Sequence, residues 1–306
     1  MTIPPPQRIL DSHIHLWPST ATSAENHGWM TPENSLAKRH GIADYLAVTD
    51  PHPGGFVYVE TDRYLPSPGP DIGEGDSEQE VRRKVEVWAK EPLEEIRFLR
   101  RIVEGKTQEG DGVEGDQGSC VKGVVLYAPF HLLPIHFSTY MSIAEEVAGP
   151  GLWARVVGFR YLLQGKGEGV VESLLQVNEG NRWLDNFRIL KMGNAGKGWC
   201  FDVGVDTHRD GMGPFEAVLD LIQRLRSWEE KEYSPGRPVR FVLSTSLEGC
   251  VTSPRVDHER MLIESRSPWQ TLSLQTTKRT LAKRHVGAFR RQGRLYEALR
   301  RFQRVR

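Results

Sequence analysis

The sequence predicts an α/β fold, a parallel sheet covered by helices. Three observations carry this. Short apolar runs recur along the chain at strand length. Helical patterns separate them. The 306 residues, 38% of them hydrophobic, suffice for one large core. Right-handed crossovers between parallel strands leave two architectures, a doubly wound sheet or a barrel.

The strands are expected at residues 8–17 (RILDSHIHLW), 55–62 (GFVYVETD), 121–129 (VKGVVLYAP), 156–164 (VVGFRYLLQ), 199–206 (WCFDVGVD) and 240–246 (RFVLSTS). Helices are expected near 40–48, 78–104, 137–148, 170–192 and 214–231. Two long, polar, Gly-rich stretches, 66–77 and 105–119, lack the apolar content to fold alone and read as mobile surface insertions. No internal repeat is present.

The alternation stops after Ser246. Residues 247–306 hold 14 Lys/Arg against 5 Asp/Glu, which leaves 26 and 35 in residues 1–246. A neutral chain is thus split into an acidic body and a basic tail. Residues 280–303 fit a basic amphipathic helix. The organisation expected is therefore a partial barrel over 1–246 and a divergent basic tail over 247–306. The tail reads as out-of-frame or read-through sequence, or else as a segment for an acidic partner.

Several classes are set aside. Net charge is zero, so nucleic acid is not an expected partner. No run of about 18 apolar residues suggests a membrane span. The first ten residues carry three prolines and no apolar run, unlike a signal peptide. Cys120, Cys200 and Cys250 are odd in number and far apart, which suits a reducing, cytoplasmic setting. No GxSxG elbow and no phosphate-binding fingerprint occurs.

The strongest chemical signal is Asp11-Ser12-His13-Ile14-His15-Leu16-Trp17. On a regular strand Asp11, His13, His15 and Trp17 share one face, and Leu10, Ile14 and Leu16 the other. Two neutral imidazoles on one face make a ready pair of zinc ligands. On the fifth strand Asp202, Gly204 and Asp206 share parity with His208, which falls just past the strand end, where barrel sites gather. His208 is a candidate third ligand, or a solvated loop residue. At the end of the second strand Glu60 is a candidate metal ligand or hydroxyl contact, and Arg63 a candidate contact for a substrate oxygen. Asp62 and Arg63 read equally as a rim ion pair. Arg160 and Gln164 on the fourth strand are further candidates, and Arg160 demands an acidic partner or a substrate oxygen. His131 and His136 read as loop residues, and His52 as structural.

The DSHIHLW opening resembles the DxHxH signature of amidohydrolase-related proteins. Further segments are similar to the L-rhamnono-γ-lactonase branch of that family: GWMTPEN (28–34), FVYVETDR (56–63), GFRYLLQ (158–164) and FDVGVD-x-H-R (201–209). The resemblance covers residues 8–246. It implies a (β/α)8 TIM barrel and a divalent metal, usually zinc, held partly by His13 and His15. It also implies hydrolysis of a sugar aldonolactone, with Arg160 and Glu60 orienting the polyol. A small-molecule sugar lactone is then the expected partner, and a homo-oligomer stays open. The same HxH also serves decarboxylases of the wider family. Where the family's sixth strand ends in histidine, this chain has Ser244-Thr245-Ser246. The family's last two strands and their GSDWP-like aspartate have no counterpart in 247–306, so the general base is assigned to no residue. The expected barrel is incomplete, and its activity impaired.

Overall fold

The structure, a computed structural model, describes residues 9–167, 169–175, 182–207, 209–231 and 238–245. The chain divides into two units at residue 245. The expected tail helix lies outside the described residues.

The first unit is an α/β half-barrel. Its strands are β1 (Leu10–Ile14), β2 (Gly55–Val59), β3 (Val121–Tyr127), β4 (Val156–Arg160), β5 (Cys200–Val205) and β6 (Arg240–Thr245). All neighbours are parallel and follow chain order, β1-β2-β3-β4-β5-β6, in a curled sheet. A doubly wound sheet reverses its order at a switch point. Strict sequential order instead keeps every right-handed crossover on one side. The helices therefore cover only the outer face, as in a partial TIM-like barrel.

Those helices are α1 (Ile42–Ala47), α2 (Glu78–Trp88), α3 (Lys90–Val103), α4 (Pro134–Trp153), α5 (Val170–Leu175), α6 (Arg182–Met192) and α7 (Gly213–Lys231). The single helix expected over 78–104 is two. The chain leaves helical geometry at Ala89 (φ −90°, ψ 20°). Pro92 explains the break, because a proline ring clashes with the carbonyl four residues earlier, here Trp88, and is tolerated only in a first turn. Ser77 caps α2, its hydroxyl accepting from the Glu80 N–H at 3.3 Å. Within α4 the chain kinks at Gly149 (φ 63°), where an added Cβ would meet the Arg100 guanidinium at 2.9 Å.

The core lies between sheet and helices. Phe56, Tyr58, Phe159 and Phe201 are fully or almost fully buried on the outer face. Phe201 and Phe187 of α6 meet at 5.1 Å, edge to face.

Both Gly-rich insertions expected to be mobile are pinned. Asp111 is buried and takes a two-pronged pair from Arg101, at 2.8 and 3.2 Å. Gly110 and Gly112 carbonyls accept from Ser19 and Ala43 N–H, both at 2.9 Å. In the other insertion the Ser67 carbonyl accepts from Trp88 Nε1 at 2.8 Å, and Asp76 pairs with Lys84 at 2.7 Å. Polar composition concealed this, since the anchors are backbone carbonyls and two aspartates rather than apolar side chains.

Candidate active site at the C-terminal mouth of the half-barrel

Two extra residues shape the site. Against Phe56 to Tyr58 of β2, β1 advances from Asp11 to Ile14, one residue more than its neighbour. A bulge of this kind reverses strand parity. Asp11 therefore does not share the face of His13 and His15, contrary to the regular-strand expectation. It turns to the helix side, where Tyr45 of α1 donates its hydroxyl to Asp11 Oδ2 at 2.9 Å. Asp11 Oδ1 accepts the His13 N–H at 3.2 Å, a local bond that fits a bulge. Trp17 also leaves the face and packs with Ala21 and Met30. The second extra residue is Val157, where β4 advances from Val156 to Gly158 while β3 advances from Val124 to Val125. It delivers Arg160 to the inner face.

His13 and His15 converge. Their Nε2 atoms lie 3.1 Å apart and their rings meet at 84°. His15 Nδ1 is 2.8 Å from the Val59 carbonyl, a contact that requires the proton on Nδ1 and leaves the Nε2 lone pair facing its partner. Surrounding protein pushes the His15 imidazole down to about 3, with Arg160 and His13 adding to the effect. His13 is lowered too, chiefly by burial. The Asp202 charge opposes that shift and Arg160 assists it. Both rings are thus neutral at pH 7, the form that ligates metals. As whole residues, His15 is exposed and His13 half-buried on the inner face of the sheet.

A salt-bridge floor flanks the pair. Arg160 donates from Nε to Glu60 Oε1 at 2.5 Å and from an Nη to the Glu60 carbonyl, and its other Nη lies 4.0 Å from Asp202 Oδ1. All three residues are buried. The acidic partner that Arg160 demanded is therefore present twice. Glu60 Oε2 also accepts the Asp62 N–H at 2.6 Å. Asp202 belongs to the site although only its parity with His208 hinted at it.

The remaining candidates lie apart. Arg63 is buried 3.7 Å from Glu95 of α3 and does not join Asp62 in a rim pair. Gln164 is half-buried, and its backbone N–H donates to the Gly204 carbonyl at 3.0 Å. His208 lies outside the described residues. His131 sits near Tyr161, ring centroids 4.9 Å apart.

The pair suits a metal as far as it goes. Two nitrogens on one zinc, with bonds of about 2.0–2.1 Å, lie at most about 4.2 Å apart. The observed 3.1 Å fits within that span. Among the described residues no group of three or more His, Cys, Asp or Glu forms a ligand cluster.

The chain is 26% identical over 222 residues to an L-rhamnono-gamma-lactonase of Scheffersomyces stipitis. The match takes in 71% of this chain and 57% of that protein, so the chain spans a little over half the length of the relative. No family model matches, and no solved structure matches. No helix among the described residues is long and apolar enough to cross a membrane.

Proposed function

We propose that this chain is a metal-dependent hydrolase of sugar aldonolactones, of the L-rhamnono-1,4-lactone type, built on a (β/α)8-like barrel. The convergence of the His13 and His15 Nε2 atoms at the C-terminal ends of the strands carries this reading. The similarity to a lactonase supports the substrate class. His13 and His15, with His208 as third candidate, would hold a divalent ion, zinc by its donor set. The chemistry such an ion supplies is polarisation of the lactone carbonyl and acidification of water.

The chain's own residues prepare the site. The Val59 carbonyl fixes the His15 tautomer. Arg160 is neutralised by Glu60 and Asp202 and stiffens the salt-bridge floor, so it orients polyol-binding groups more than it reaches for them. Gln164 stands at the rim. No described carboxylate is assigned as general base.

Hydrolysis of L-rhamnono-1,4-lactone by the full chain, followed by acid release in weak buffer, tests this. Turnover should require zinc, stop with a chelator, and vanish in His13→Ala. An alternative, a catalytically inactive partial barrel, is favoured by the missing third ligand among the described residues. Absence of both stoichiometric zinc and turnover would establish it. Preference for decarboxylating an unsaturated acid over opening lactones would move the chain to another reaction class.

A further inference from the structure

A second constellation lies on the loops that follow β2 and β4. Asp62 has a left-handed backbone (φ 53°), uncommon for a side-chain-bearing residue and concentrated at functional sites. Its N–H is held by Glu60, and Glu60 by Arg160, so its position is tied to the salt-bridge floor. Lys166 Nζ lies 3.8 Å from Asp62 Oδ1 and 5.6 Å above the Tyr161 ring. The Asp62 and Lys166 side chains are both about one-third exposed (38% and 31%). Tyr161 is wedged between His131 and Trp183, with centroids at 4.9 and 5.5 Å.

A surface ion pair this long contributes little to stability. A carboxylate acceptor, an ammonium donor and a rigid aromatic face together present no net charge. That combination suits a neutral ring bearing several hydroxyls, and neither an anion nor a cation.

We propose that Asp62, Lys166 and Tyr161 form a polyol-recognition rim that reads the hydroxyl groups of the substrate. Asp62 accepts from one hydroxyl, Lys166 donates to another, and the Tyr161 ring, held by His131 and Trp183, seats the Lys166 ammonium. These residues position and select the substrate, and the histidine pair is separate from them. The proposal rests on the lactonase reading and names its selectivity.

The test compares kcat/KM for L-rhamnono-1,4-lactone with that for unsubstituted γ-butyrolactone, in wild type, Asp62→Asn and Lys166→Met. The ratio should fall about tenfold to a hundredfold in each variant, carried by KM, since bonds to charged groups are lost only for the hydroxylated lactone. An equal fall for both lactones would overturn the rim. If wild type opens neither lactone, the lactonase reading fails, and calorimetry with the neutral polyol L-rhamnitol decides the rim. Binding weakened by Asp62→Asn sustains it. Binding that is absent, or unchanged in the variant, overturns it.

Discussion

Two clusters in this half-barrel are built from the same chemical types and do opposite things. At the β1 end, His13 and His15 stand beside Arg160, Glu60 and Asp202. After β2, His27 stands beside Arg63, Glu95 and Thr61. In the second cluster the groups are turned on one another. Glu95 Oε1 accepts from Tyr58 Oη at 2.7 Å, Thr61 N at 2.9 Å and Thr61 Oγ1 at 2.6 Å, with Arg63 at 3.7 Å. The His27 ring is fully buried, lies 2.8 Å from Thr61 Oγ1 and packs between Trp17 and Trp29. In the first cluster one guanidinium serves two carboxylates, and the two ring nitrogens face each other 3.1 Å apart on residues that are exposed (His15) and half-buried (His13). Residue type does not separate a site from a strut. The direction of lone pairs, and water's access to them, does.

The largest effect should come from the strut. Glu95→Ala strands Arg63 in the interior and should cost about 3–5 kcal/mol in denaturant unfolding. His13→Ala should stay within about 1 kcal/mol of wild type in the same measurement. Equal losses would erase the distinction between the clusters.

Zinc affinity should order the variants the other way. His15→Ala removes a proposed ligand and should weaken binding by at least about a hundredfold, more than loss of a supporting contact does. Glu95→Gln, if folded, should leave it near wild type. Calorimetric titration reads both.

Acid should act on the strut as well. Burial, helped by the Arg63 charge, holds His27 at about 3, below its ordinary 6.5. The unfolded chain thus binds the proton more readily, and the stability due to neutral His27 is full above about 6.5 and lost as pH falls toward 3. The slope is at most about 1.4 kcal/mol per pH unit. His27→Gln should flatten the pH dependence of the midpoint between pH 6.5 and 4; an unchanged slope would contradict the assignment.

The smallest effect concerns Cys200. Burial pushes its thiol up to about 11, and Sγ lies 3.1 Å from the Val157 carbonyl. Native protein at pH 8 should alkylate slowly at Cys200 and faster at the half-buried Cys120, as peptide mass mapping would show.

The sheet was largely legible because each strand carries its own apolar run, and sequential order needed only the right-handed crossover rule. The break at Ala89 was also legible, in Pro92, yet the strong helical period on both sides masked it. The bulges at β1 and β4 were not, because an extra residue is a property of pairing between strands. Regular alternation therefore puts Asp11 on the wrong face, while His13 and His15 keep a common one. Glu60 and Arg160 were visible as polar residues in apolar strands. Their union spans one hundred positions and shows only in the fold. The burial of Arg63 depended on Glu95, a helical glutamate indistinguishable in sequence from its exposed neighbour Glu94.

Cobalt substitution offers the most direct test of the histidine pair. Titrating the full chain with Co(II) should produce visible absorption that saturates at one equivalent, is displaced by zinc, and is lost in both His13→Ala and His15→Ala. A chain that gives no such band, or variants that keep it unchanged, would contradict the account.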